Sequence, residues 1–240
     1  MISLETMGKI WNSYSSFYWK GLGNTLWLSV VAVVLGVILG LIVASGRMLT
    51  IKKDENIILQ LLKYVAKFIA VAYVEVLRAT PLLVQVMVIY YGATTAGLKF
   101  QNAATTRMFW CLIAVALNSG AYLSEVIRSG INAVPSGQME AARCVGMNHW
   151  QAMQYVILPQ AVRNILPALC NEFVTIIKET SVLSMVGIAE LMFQAQTVAS
   201  TTYISVEPYI IAAIMYFVIV FTLSKLISAF ERRLSRSVTR

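Results

Sequence analysis

The chain has 240 residues, of which 58% are hydrophobic and only 12% charged, with a mean hydropathy of +0.72. Soluble domains carry about 25% charged residues, whereas nearly charge-free runs of about 20 residues match the ~30 Å hydrocarbon thickness of a bilayer. An ordinary soluble domain is therefore excluded, and the net charge of +8 reads as basic flanks that set membrane topology, not as a nucleic-acid footprint.

In chain order, Glu5 and Lys9 precede a run too long for a cleavable signal, so the first span is expected over Leu22 to Ser45, with no charge inside it. Gly36 and Gly40, four residues apart, would let a neighbouring helix approach closely. A second span starts near Ile57 and carries Lys63, Lys67, Glu75 and Arg78; the two lysines are expected to snorkel to headgroups. Pro81 removes a backbone donor and clashes with the preceding turn, so the helix breaks there, before the apolar run Leu82 to Tyr91. The stretch from Gly92 to Arg107 reads as a loop. A third span covers Met108 to about Ile127, a fourth begins near Asn164 and runs through Lys178 and Glu179, and a fifth covers Pro208 to about Ile227. The segment after Thr180 reads as a short helix at the far surface. The expectation is an all-α polytopic membrane protein of one domain over residues 1–240, with five spans.

Orientation follows from counting. With the N-terminus outside, the inner segments hold Arg47, Lys52, Lys53, Arg128, Arg143, Arg163, Lys225, Arg232, Arg233, Arg236 and Arg240. The outer segments hold only Lys9, Lys20, Lys99 and Arg107. Basic residues favour the cytoplasmic side, so the C-terminus and the segment of about 129–163 are expected inside.

That inner segment shows helix grammar. Ser136 is a candidate N-cap with Glu140 near the first turn, and Gly146 fits a left-handed C-terminal cap. Asn148 and Gln151 make a capping box for a second helix, and Pro159 ends it or marks its bend into the next span. Two readings stay open on grammar alone: an amphipathic connector lying on the membrane through Met139, Val145, Met147, Trp150 and Tyr155, or a docking element presenting small Ala141 and Ala142 to a protein groove.

Polar groups inside spans tend to face a bundle interior or cavity, because each charge costs about 2.5–3.5 kcal/mol on insertion. Asn118, Tyr122 and Glu125 share one helical stripe; Glu75 and Arg78 lie beside the Pro81 break; Lys178, Glu179 and Thr180 cluster in the fourth span. Each has a structural alternative: Glu75 with Arg78, Glu125 with Arg128 and Glu179 with Lys178 as internal ion pairs. Cys111, Cys144 and Cys170 are widely spaced and read as small apolar filler, and the single histidine, His149, has no ligand cluster around it. None of the glycines begins a GxxxxGK[ST] phosphate cradle, so energy for any transport comes from a partner or an ion gradient.

The segment "EAARCVGMNHWQAMQYVILP" resembles the E-A-A-x3-G-x9-I-x-L-P loop of the membrane subunits of ABC importers. Glu140, Ala141, Ala142, Gly146, Val156, Leu158 and Pro159 match, with Val156 in place of isoleucine. "YVEVLRATPLLVQVMVIYYG", "ALNSGAYLSEVIRSGINAVPSGQMEAAR" and "LPALCNEFVTIIKETSVLSMVGIAEL" are similar to the polar amino acid uptake branch, over roughly Asn24 to Arg232. Ala79-Thr80-Pro81 stands for an expected Gly-Thr-Pro, and Lys178-Glu179-Thr180-Ser181 for Lys-Asp-Thr-Ser.

The resemblance implies a type I importer-like permease subunit of the bacterial plasma membrane, non-catalytic and without a cofactor. It also implies two membrane subunits (two copies or this chain with a paralogue), cytoplasmic ABC ATPase subunits and an extracytoplasmic solute-binding protein that delivers a polar amino acid. The seven matching residues are then the ATPase-coupling set. Asn118, Tyr122, Glu125, Glu75, Arg78, Lys178, Glu179 and Thr180 are candidates for the solute path, since a zwitterion needs both a cation and an anion. A bulky residue at Ala142 is expected to weaken ATPase docking without loss of membrane insertion. An ion-coupled transporter would show inverted repeats, and no second copy of any segment is visible; a membrane enzyme would want a catalytic cluster, and the sequence has neither HExxH nor a Ser–His pairing.

Overall fold

The computed structural model describes residues 3–236. Every regular element in it is a helix: α1 (Leu4–Arg47), α2 (Ile57–Ala79), α3 (Leu82–Thr95), α4 (Ala103–Asn132), α5 (Ser136–Cys144), α6 (His149–Ala152), a π-helical turn (Met153–Ile157), α7 (Leu158–Glu179), a 3₁₀ segment (Thr180–Val186), α8 (Leu191–Thr202) and α9 (Glu207–Arg236). Arg240, counted above among the inner basic residues, lies outside the described residues.

Among the described residues, four helices are long and apolar enough to cross a membrane: Leu4–Arg47, Ile57–Ala79, Ala103–Asn132 and Glu207–Arg232. The expected fourth span lies in α7, which has 22 residues but is not one of the four. Its apolar positions alternate with Arg163, Asn164, Glu172, Lys178 and Glu179, and it holds Pro167 internally.

Helix α1 is longer than the sequence suggests, at 44 residues. At 1.5 Å per residue this is about 66 Å, twice what the hydrocarbon layer requires. The first turns escaped notice because Ser13, Ser15, Ser16 and Lys20 interrupt their apolar pattern. The stretch from Gly92 to Arg107 is also less of a loop than expected, since α3 runs on to Thr95 and α4 starts at Ala103.

Two compact units divide the chain. The first comprises Met1–Val34, Thr80–Ala116 and Phe173–Leu226; the second comprises Leu35–Ala79, Leu117–Glu172 and Ile227–Arg240. In the first, Ile10, Tyr18 and Leu22 of α1 pack with Leu191, Ala195 and Val198 of α8 and Ile211, Ala212 and Met215 of α9. Polar groups in this apolar setting are tied off internally. Glu190, wholly buried, caps α8 by accepting from the amides of Met192 (2.9 Å) and Phe193 (2.7 Å), and takes the Tyr216 hydroxyl at 2.7 Å. Thr25 accepts the Leu191 amide at 3.1 Å, and Asn24 donates to the Ala189 carbonyl at 2.7 Å. At the helix break, the Gln85 side-chain amide donates to the Thr80 carbonyl (3.0 Å) and hydroxyl (2.8 Å), bracing the turn that leads into α3.

In the second unit, α1 meets α4 almost backbone to backbone. A Cβ on Gly36 would fall 2.5 Å from Ser119 Oγ, and one on Gly40 would fall 3.0 Å from the Ser124 amide nitrogen. The four-residue glycine spacing thus does what small residues do at membrane helix crossings. Lys63 does not snorkel freely as expected: Glu55 holds its ammonium at 2.5 and 2.6 Å, and the Thr50 carbonyl accepts from it at 3.3 Å. A carboxylate on the preceding loop is a better partner than headgroup water, because the loop folds back over the first turns of α2. The filler reading of the cysteines holds for Cys111, which is buried, but Cys144 is exposed at the end of α5.

Burial pushes the Glu190 carboxyl above its ordinary range, opposed by the amide and hydroxyl donors around it. The fold then favours the protonated form, so its contribution is fully present below the ordinary carboxylate range and is lost as pH rises through the raised value. Replacing Glu190 by Ala removes the cap and orphans its donors, at a cost of about 1–3 kcal/mol. Thermal melts of the solubilised protein across a pH series should show that loss, and Glu190→Gln should flatten the pH slope; an unchanged slope in E190Q contradicts this account.

Candidate functional site

Between α4 and α7 the second unit carries the capped elbow. Helix α5 ends at Val145, and Gly146 follows at φ 89°, a left-handed conformation that costs glycine nothing. The Met147 amide returns to the Ala142 carbonyl at 3.2 Å and the Gly146 amide to the Arg143 carbonyl at 3.1 Å, closing the last turn as a Schellman motif. Asn148 then caps α6. Its Oδ1 accepts the Gln151 amide at 2.8 Å, and Gln151 Oε1 accepts the Asn148 amide at 2.9 Å, completing the expected capping box.

Two expected caps differ. Ser136 is the first helical residue of α5, not its N-cap; Pro135, at φ −56° and ψ 135°, occupies that place without a side-chain bond. Proline fixes φ and suits the boundary, which leaves the serine one position late. Pro159 does not end the second helix either. The chain passes from α6 through the π-helical turn, where the Leu158 amide reaches back to the Met153 carbonyl, and Pro159 becomes the second residue of α7. The wider turn is how the helix absorbs a proline near its start.

The coupling set divides by exposure. Val134, Ile157 and Ala161 form a buried cluster with Met139, Met153, Val156 and Ile165 packed against it. Ala142 is also buried, whereas Glu140, Ala141, Gly146, Leu158 and Pro159 are exposed. Ala142 is therefore part of the elbow's own packing, and a bulky residue there would deform the elbow itself. The exposed apolar face belongs to Val145 (76% exposed), Trp150 (70%) and Tyr155 (65%).

A second polar feature of the same unit is a cleft of about 430 Å³ lined in part by Arg78, Tyr122, Glu125, Ser129 and Asn164. The Arg78 guanidinium stands 5.4 Å from the Tyr122 ring centroid, a cation–π pairing, instead of pairing with Glu75. Glu75 is exposed on α2. Glu125 is bound on both oxygens: Oε2 takes Arg47 and Oε1 takes Arg128. The Glu125–Arg128 pair is the alternative the spacing offered. Arg47 was missed, although a basic residue ending an otherwise uncharged span was the available signal. Asn118 is buried behind the cleft, with its side-chain amide 3.5 Å from the Leu77 carbonyl, while the Tyr73 hydroxyl donates to the Leu117 carbonyl at 2.6 Å. Asn164, also missed, donates to the Gly130 carbonyl at 3.3 Å.

Lys178, Glu179 and Thr180 belong to the first unit, at the junction of α7 and the 3₁₀ segment. Lys178 is exposed and Glu179 half-buried. Thr180 is wholly buried, and its hydroxyl donates to the Ile177 carbonyl at 2.9 Å.

Several helices long and apolar enough to cross a membrane, together with a polar cleft and a capped helix–turn–helix elbow, define the class of protein as a helical membrane protein. The chain belongs to the family of binding-protein-dependent transport system inner membrane components, whose profile matches residues 57–236. It is accordingly a permease subunit of an ABC importer, a multi-pass protein of the bacterial inner membrane. It is 37% identical over 219 residues to an arginine transport system permease protein of Bacillus subtilis, covering 91% of this chain and 92% of that one. To a glutamine transport system permease protein of Escherichia coli it is 31% identical, covering 90% and 91%. Among solved structures, an amino acid ABC transporter crystallised with histidines matches at a TM-score of 0.84 and 43% identity, over 97% of this chain and 99% of that one. An inward-facing methionine ABC transporter shares the fold at a TM-score of 0.71 and 16% identity, over 91% and 96%.

Because Glu125 pairs with two arginines, Glu125→Gln leaves two guanidiniums against one neutral amide. The expected cost is about 1–3 kcal/mol, discounted from a fully buried pair because the cluster is partly exposed. Melting of the purified protein should fall by several degrees, and the loss should shrink when Arg128→Gln is added. Additive losses would show that the three groups do not act together.

Proposed function

We propose that the chain forms half of the pathway by which an ATP-driven importer moves a polar amino acid inward, delivered by an extracytoplasmic binding protein. Arginine and glutamine transport by the relatives support that solute class. The proposal has the N-terminus outside, the C-terminus and the elbow in the cytoplasm, and five spans, with α7 as the span that its polar residues kept out of the apolar set. At about 33 Å α7 is long enough, and polar residues of a spanning helix belong against protein or a water-filled cavity.

The observation that carries the reading is the elbow. Two capped helices joined by a left-handed glycine make a stiff body, and a stiff body transmits displacement. Its exposed Val145, Trp150 and Tyr155, beside Glu140, Ala141, Gly146, Leu158 and Pro159, form the face offered to the ATPase, while Ala142 and Val156 hold its shape from within. The second membrane subunit is a further copy or a paralogue.

For the solute path, the second unit contributes Tyr122, Arg78 and Glu125 at its cleft, with Asn118 behind them and Glu75 on α2. Arg78 supplies a cation for a carboxylate, and Tyr122 supplies a ring and a hydroxyl. Lys178, Glu179 and Thr180 are the candidates in the first unit.

Uptake of radiolabelled polar amino acids into proteoliposomes, with the ATPase and binding protein supplied, should require ATP. Uptake driven by an ion gradient without the ATPase overturns the proposal. Ala141→Trp should weaken co-purification of the ATPase by roughly tenfold, about 1.4 kcal/mol, with membrane insertion intact; wild-type co-purification and transport would remove the elbow from that role.

A further inference from the structure

A second cleft of the second unit, distinct from the polar cleft above, lies where three helices bring cations together. It has a volume of about 590 Å³ and is lined in part by Arg47, Thr50, Ile51, Lys67, Arg128 and Asn132. Arg47 is the last residue of α1 and Asn132 the last of α4, so the cleft sits at the ends of two candidate spans, where headgroups begin. Glu125 is engaged by Arg47 and Arg128, and Glu55 by Lys63, while Asp54 is exposed on the loop between α1 and α2. Three cations against the shared Glu125 leave an excess of positive charge. Two donors there are uncommitted among the described residues. The exposed Lys67 ammonium has no ion-pair or hydrogen-bond partner, and Arg128 Nε is buried without one.

The surface around Lys67 is apolar and bare. Tyr64 and Val71, one turn before and one turn after Lys67 on α2, are exposed together with the neighbouring Phe68, and only 11% of the spanning window of α2 is buried. A cation at the edge of an exposed apolar face, next to a cationic cleft at a span end, matches a molecule with a phosphate at one end and hydrocarbon at the other. Basic pockets between membrane helices at the cytoplasmic side are suited to anionic headgroups.

We propose that an anionic phospholipid occupies this cleft, its phosphate held by Lys67, Arg128 and Arg47 and its acyl chains laid along the bare face of α2. The shape of the pair decides between a lipid and a free phosphate: a free anion would use the cleft but gain nothing from the apolar face. Neutral lipid would use the face but gain nothing from the cations.

The test is native mass spectrometry of the intact transporter released from nanodiscs holding phosphatidylglycerol and phosphatidylcholine in equal amounts. The wild type should retain phosphatidylglycerol over phosphatidylcholine by roughly fivefold or more. Lys67→Gln should lower that preference by roughly fivefold, and Lys67→Arg should preserve it. Lys67 is exposed and unpartnered, so the variant leaves the packing untouched. Equal retention of the two lipids, an unchanged preference in K67Q, or displacement of phosphatidylglycerol by millimolar inorganic phosphate would each overturn the proposal. So would disulfide capture of a second copy of the chain in place of lipid through Lys67→Cys. None of these outcomes depends on transport activity, so the proposal stands or falls separately from the function above.

Discussion

A charge held in surroundings of low dielectric has to find its counter-charge within the protein, and in the second unit Glu125 finds two. Its oxygens bind Arg47 and Arg128, which ties the end of α1 to α4. Coulomb attraction between such groups strengthens as water is excluded, while the cost of leaving either member alone rises for the same reason. The glycine crossing of α1 and α4 supports this cluster. Gly36 and Gly40 let the two backbones approach, and Arg47 follows seven residues after Gly40 on the same helix.

The elbow works by a different principle. Its path is fixed largely by local hydrogen bonds. The Schellman closure around Gly146, the reciprocal bonds of Asn148 and Gln151 and the π-helical turn before Pro159 define the path of the chain from α5 to α7. A small cluster around Val134, Ile157 and Ala161, with buried Ala142, adds apolar packing.

Much of this was legible in the residues. Pro81 marked the α2–α3 break, Asn148 and Gln151 the capping box, and Gly146 the left-handed turn, because each acts through neighbours a few positions away. The glycine pair of α1 announced a close crossing but not its partner. What stayed hidden depended on residues distant in the chain. Arg47 reaches Glu125 across 78 positions, and the lone pairs of Glu190 are taken up by its own helix start and by Tyr216 of α9. The inward position of Ala142 followed from how α5 rests on its surroundings, which a motif of small residues does not encode. Helix α7 shows the converse: a span was expected from near Asn164 through Lys178 and Glu179, and a helix of 22 residues stands there, but its polar residues keep it out of the four helices that are apolar enough to cross.

The sequence by itself determined that the chain is a helical membrane protein, where its main breaks and caps fall, and which short segment resembles an importer's coupling loop. Those properties arise from hydropathy summed over about 20 residues and from backbone preferences spanning four or five. The tertiary structure alone decided which charges pair with one another, which residues of the elbow are left bare and where the unpartnered Lys67 meets the cations at the ends of α1 and α4. Those outcomes are set by through-space distances of a few ångströms between residues that the chain keeps far apart, and electrostatic and packing energies depend on that distance and not on order along the chain.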